Sequence, residues 1–207
     1  MSPLAKAQRD TAQSLFHQKG FIRMRDLRAA GVGAETVARL VREGAVIHVA
    51  RGLYQLAETM PDAWRSFAEA SALVPKGVIC LTSALQFHEL TLNMPSAVWI
   101  AINRTGWKPT VEYPPVRFVR FSGCALKEGV ARHLIEGIEV PIFEPAKTIV
   151  DCFRYRNKIG LDIALEGLRE GLRTKRATPD QLWELAHTAH VWSVMRPYVE
   201  AMAIDGA

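Results

Sequence analysis

Nine cations crowd the first 57 residues: Lys6, Arg9, Lys19, Arg23, Arg25, Arg28, Arg39, Arg42 and Arg51. Only Asp10, Asp26, Glu35 and Glu43 oppose them, so this segment has an excess of five positive charges, equal to the net +5 of all 207 residues. The rest of the chain is therefore neutral overall. Guanidinium groups fork onto phosphate oxygens and onto the O6 and N7 edge of guanine, so a segment this rich in arginine is suited to a polyanion. Thr36, Arg39 and Arg42 fall opposite an apolar stripe and are candidates for base contacts. Arg51 stands beside a glycine in a tight turn, where a cation reaches a phosphate or a minor groove. Arg23, Arg25 and Arg28 are candidates for backbone contacts.

Catalytic chemistry is poorly signalled. The sequence contains no G-x-G-x-x-G, no Walker loop, no H-E-x-x-H and no G-x-S-x-G. Gly31-Val32-Gly33 precedes a helical stretch, but no phosphate-loop lysine follows. His187 and His190 are spaced to reach one metal, yet no third ligand accompanies them. Glu144, Lys147 and Asp151 resemble a nuclease carboxylate–lysine set in composition. Nuclease sets place these groups on strands, whereas Ile149, Val150 and Phe153 repeat with helical period, which favours a solvated helix with one internal ion pair. Arg173 to Arg176 reads as a solvated helix end. Cys80, Cys124 and Cys152 are scattered and odd in number, which predicts buried small hydrophobes rather than disulfides or a zinc ribbon. No cofactor and no enzymatic activity are expected.

Several elements must position the arginines. Residues 4–18 place Leu4, Ala5, Gln8, Ala12, Leu15 and Phe16 near one stripe, predicting a helix that stops at Gly20. A short helix over 24–31 buries Leu27 and is capped by Gly31. A third, over 34–43, buries Val37, Leu40 and Val41 at i, i+3 and i+4. "VIHV" (46–49) and "LYQL" (53–56) then flank Ala50-Arg51-Gly52, predicting a hairpin. Helix, helix, tight turn, helix and hairpin in this order make a winged helix-turn-helix, whose third helix enters the major groove.

The polar stretch 57–62 is the predicted boundary, giving a DNA-binding domain over 1–57 and a mixed α/β domain over 62–207. In the second domain helices are predicted over 63–75, from Thr82 or Ser83 to 90, and over 145–156. Three more follow over 160–174, 178–189 and 191–203. Strands are predicted over 97–102 and 116–121 and, at an edge or bend because of Pro141, over 138–143. The fold class is α+β, with a small sheet and C-terminal helices after the winged helix. Hydrophobic residues make up 49% and charged residues 23%, as in chains that bury a core. No run is long and apolar enough for a membrane span, and "MSPLAKAQRD" lacks the apolar core of a signal peptide. A cytoplasmic protein with no membrane partner is expected.

"TVARLVREGAVIHVARGLYQL" resembles the end of the winged helix in the AbiEi family of antitoxins, regulators of type IV toxin–antitoxin systems. The similarity lies in Leu40, Val41, Arg42 and Gly44, then in Arg51, Gly52 and Tyr54. It continues in "LTSALQFHEL" (81–90) and "IEVPIFEPAKTIVDCFRY" (138–155). There Thr148 and Asp151 match, and Lys147 stands where arginine is more usual. The second helix differs, since Ile22-Arg23-Met24 offers no Thr or Ser cap. The resemblance implies a repressor of its own operon that binds inverted repeats in promoter DNA. It also implies a second domain that neutralises a nucleotidyltransferase-like toxin. The competing readings are a stand-alone winged-helix transcription factor, a protein-interaction module, and a DNA-targeted nuclease or nucleotidyltransferase.

Overall fold

The computed structural model describes residues 3–57 and 64–205. Most of the predicted 57–62 boundary falls on 58–63, outside the described residues. Among the described residues, helices mix with two small sheets, one of three strands and one of five. The chain divides into two compact units. One is Met1–Leu73 with Leu134–Glu139, and the other is Val74–His133 with Val140–Ala207.

In the first unit the helices are α1 (Pro3–Gln18), α2 (Met24–Ala29), α3 (Ala34–Arg42) and α4 (Arg65–Leu73). The strands are β1 (Phe21–Arg23), β2 (Val46–Ala50) and β3 (Leu53–Leu56), ordered β1-β3-β2 and antiparallel throughout. The helical stripes meet as their periodicity demands. Ala12 and Phe16 of α1 pack with Ile22, Leu27, Val32, Val37, Leu40 and Val46 in one core. Burying each of the larger side chains contributes about 1.5–3 kcal/mol.

Strand β1 is not foreseen by the sequence. Its three residues are too few to show alternation, and it exists because Phe21, Ile22 and Arg23 pair with Gln55, Tyr54 and Leu53. The Phe21 N–H is also donated to the Glu136 carbonyl at 3.2 Å. Gly20 permits this approach, since a Cβ there would lie 2.5 Å from Glu136 Cβ.

The strands of the five-stranded sheet are β4 (Val78–Ile79), β5 (Val98–Asn103), β6 (Val116–Phe121), β7 (Val130–Ile135) and β8 (Ile138–Phe143), of which the end of β7 and the start of β8, within Leu134–Glu139, count with the first unit and the rest with the second. Their order is β6-β5-β4-β8-β7. β5 runs antiparallel to β4 and parallel to β6, while β4 and β8 are parallel. The helices of the second unit are α5 (Leu81–Phe87), α6 (Pro145–Arg154), α7 (Arg156–Ile159), α8 (Leu161–Arg173), α9 (Pro179–Thr188) and α10 (Trp192–Asp205). Pro145 and Pro179 sit in the first turns of their helices, where a missing N–H costs nothing. Thr178 and Gln181 complete a capping box on α9.

Two expectations for this unit are corrected, and one strand is added. β7 goes unpredicted because its outward residues and its partly buried ones blur any apolar alternation. Pro141 lies on an interior strand, not an edge. β4 is only two residues long and pairs with β8 at Ile79 and Ile142, so no ladder bond from residue 141 is needed. Helix α5 starts at Leu81 without a side-chain cap. Ser83 instead accepts the Trp99 N–H at 3.0 Å, inside the core.

Candidate nucleic-acid interface

Helix α3 is held at both ends. Gly31 at φ +82° lets the chain turn after α2, and the Val32 N–H is donated to the Leu27 carbonyl at 2.9 Å. Gly33, at the N-cap, has no capping side chain of its own. Gln8 of α1 supplies the acceptor instead. Its Oε1 takes the Gly33 N–H at 3.3 Å and the Thr36 hydroxyl at 2.7 Å. At the other end Gly44, at φ +71°, closes the helix, with the Ala45 N–H donated to the Leu40 carbonyl at 3.0 Å.

These anchors fix which face is outward. Thr36 is buried, not outward as predicted, because its hydroxyl is drawn to Gln8. Arg39 is half-buried beside Glu43, which also pairs with Arg9 at 2.9 Å. Arg39 Nε and Nη2 are buried without hydrogen-bond partners. The exposed stripe consists of Ala34, Glu35, Ala38 and Arg42. The sequence reading missed Ala38 as part of this face. The signal was present, since Ala34, Ala38 and Arg42 repeat every four residues opposite Val37 and Leu40. A small side chain at the centre of an outward stripe allows close approach to a flat or grooved partner.

The β2–β3 hairpin turns at Arg51-Gly52, with Gly52 at φ +70° and Arg51 exposed. The Met24 N–H is donated to the Gly52 carbonyl at 2.8 Å, which ties the hairpin turn to the start of α2. Arg25 and Arg28 are exposed on α2, and Arg25 pairs with its neighbour Asp26 at 3.3 Å. Arg23 is committed inward, its Nη2 donating to the Ala72 carbonyl. Of the seven predicted residues, then, Arg25, Arg28, Arg42 and Arg51 present charge to solvent. Arg39 does so partly, while Thr36 and Arg23 serve internal contacts. Gln8, outside the predicted set, is the residue that orients α3.

Residues 10–57 match the family model described as "Transcriptional regulator, AbiEi antitoxin". The AbiEi match contains all seven predicted residues and stops one residue past β3. Gln8 and Arg9 lie just before it. The fold is similar to that in the "Crystal structure of RV2827C protein from Mycobacterium tuberculosis", with a TM-score of 0.63 and 14% identity over 95% of this chain and 76% of that one. At this identity the likeness concerns the fold alone. No curated protein matches the chain. Among the described residues no helix is long and apolar enough to cross a membrane.

Beyond the AbiEi match, α6 of the second unit contradicts its predicted solvation. Every residue from Ala146 to Phe153 is buried. Lys147 Nζ lies 2.5 Å from Asp151 Oδ2, and 4.8 Å and 5.0 Å from the Phe143 and Phe121 ring centres. Burial pushes the Asp151 carboxyl up to about 6, against the opposing pull of Lys147. Glu144 is exposed at the helix N-cap and takes no part in the pair. The Phe143 carbonyl accepts from Thr148 Oγ1 at 3.0 Å and from His88 Nε2 at 2.7 Å. Burial lowers the His88 pKa, which favours a neutral ring.

The remaining candidates separate. His187 packs against Trp183 and Trp192, with ring centres 4.5 Å and 5.9 Å away. In the predicted basic helix end, Arg173 pairs with Glu170 at 2.6 Å and Arg176 with Glu89 at 3.5 Å. Cys80 and Cys152 are buried as expected, whereas Cys124 is exposed.

Proposed function

We propose that this chain is a DNA-binding transcriptional regulator of the AbiEi antitoxin type. In this reading residues 1–57 form a winged helix-turn-helix and 62–207 an antitoxin-type domain. The observation that carries it is the outward stripe of α3 next to an arginine-tipped hairpin, within the segment that matches the AbiEi family. Arg42 reads a base edge in the major groove, and Ala38 lets α3 approach closely. Arg51 takes a phosphate or the adjacent minor groove. Arg25 and Arg28 contact backbone phosphates, which fix register without reading sequence. Thr36 contributes indirectly, by locking α3 to Gln8. Its DNA target is inverted repeats in its own promoter, its protein partner a nucleotidyltransferase-like toxin, and its compartment the cytoplasm.

A reporter placed behind the chain's own promoter tests the reading. Expression of the wild type should repress it, and Arg42→Ala or Arg51→Ala should relieve repression at equal protein level. Unchanged reporter output on wild-type expression would overturn it. For the antitoxin role, a nucleotidyltransferase-like protein encoded beside this gene should arrest growth alone and be tolerated when the chain is co-expressed. Persistent arrest would remove that half of the proposal.

A further inference from the structure

The second unit contains a cavity of about 300 Å³ that the regulatory reading does not use. Lys147 forms part of its wall, and the exposed Arg154 lies two helical turns further along α6. Ser122 and Thr188 bring hydroxyl groups, and Leu185 and Ala125 form an apolar side. His190, at φ +54° just past the end of α9, lines the same space.

The cation in this wall is already ordered. Asp151 and the Phe121 and Phe143 rings hold the Lys147 side chain, so little conformational freedom remains to be lost on binding. Asp151 offers only Oδ2 to Lys147, and its Oδ1 has no hydrogen-bond partner. The ammonium has three donors, and Asp151 uses one. Glu128 also lines the cavity, so with Asp151 behind Lys147 the formal charges balance. One ligand charge can be met by Lys147 and Arg154 together, whereas a second would find no further cation in the lining and would be repelled by Glu128. The apolar side suits a small hydrocarbon body.

We infer that this cavity is a binding site for a small organic carboxylate, whose charge meets Lys147 and Arg154 and whose apolar body lies against Leu185 and Ala125. The inference stands on the second unit alone, and its test does not involve DNA.

Benzoate is a suitable probe, with benzyl alcohol as the neutral control and inorganic phosphate as the small oxyanion. Each is titrated into the full chain and followed by amide NMR shifts. Benzoate should give saturable shifts centred on Ala125, Leu185, Ala189 and His190. Arg154→Gln, at an exposed position that leaves the core intact, should weaken it by about tenfold, the loss of one charge-assisted hydrogen bond. No saturable shift at these amides, or identical titrations of wild type and Arg154→Gln, would overturn the inference. So would benzyl alcohol binding as tightly as benzoate, which would make the cavity merely apolar. Phosphate binding as tightly as benzoate would overturn the assignment to a carboxylate with an apolar body.

Discussion

Helices α3 and α6 carry the same motif at the same spacing, a cation followed four residues later by an acid, and the two pairs have opposite physics. In α3 Arg39 Nε lies 3.9 Å from Glu43 Oε1, with the side chains 29% and 37% exposed. In α6 Lys147 Nζ lies 2.5 Å from Asp151 Oδ2, with the side chains 5% and 0% exposed. The first pair is long and its side chains are partly exposed, so its rupture costs little. The second has lost its hydration, so its partners depend on each other. An i, i+4 pair therefore has no fixed worth; its depth decides. The difference also divides the molecule's charges. Arg25, Arg28, Arg42 and Arg51 of the first unit stay exposed to solvent, whereas Lys147 and Asp151 of α6 are enclosed with phenylalanine rings beside a cavity.

The comparison breaks most visibly at Lys147. Lys147→Met should cost about 3–5 kcal/mol of unfolding free energy, because it strands a buried carboxylate. Lys147→Met with Asp151→Leu should restore most of that loss. Denaturant titration of both variants measures it, and a double variant no more stable than the single one would place the pair in a wetter setting than the structure does.

The next test is of charge state. Asp151 is held at about 6, above its unfolded value of about 3.9, so the native state binds more protons between those two pH values. Its contribution to stability is full below pH about 4 and is lost as pH rises through about 6. A carboxyl ¹³C titration of Asp151 should have its midpoint near 6, and one near 4 would contradict the burial argument.

On α3 the expected effects move from stability to binding. Arg42→Ala should cost about 1–3 kcal/mol of discrimination between operator and unrelated duplex, with unfolding free energy nearly unchanged. Competition binding checks it; equal losses on both duplexes would make Arg42 a phosphate contact. Smallest is the Arg39–Glu43 coupling, expected below about 1 kcal/mol in a double-mutant cycle. A coupling as large as that of Lys147 with Asp151 would erase the contrast between the helices.

How far these features were legible follows the same line. Periodicity located α3, because Val37, Leu40 and its neighbours repeat at helical spacing, and Gly52 marked the hairpin turn. The orientation of Thr36 was not legible. It depends on Gln8, 28 residues earlier, whose amide oxygen competes with solvent for the hydroxyl. The same holds for Lys147 and Asp151. Their spacing is visible in the sequence, while their depth is set by Phe121 and Phe143, which reach them through the sheet. Strand β1 was hidden for want of length, and Ala38 on the outward face of α3 has neither charge nor bulk to mark it. Local pattern is written locally; depth and facing are set by distant partners.

The most direct measurement of the central claim is the affinity of the full chain for its own promoter duplex and for a shuffled duplex, across a salt series. Wild type should prefer the promoter. The logarithm of its binding constant should fall linearly with the logarithm of salt concentration, with a slope of about −0.9 per phosphate neutralised, and Arg51→Ala should lower the slope by about one. Equal affinity for the two duplexes, or binding indifferent to salt, would contradict the account.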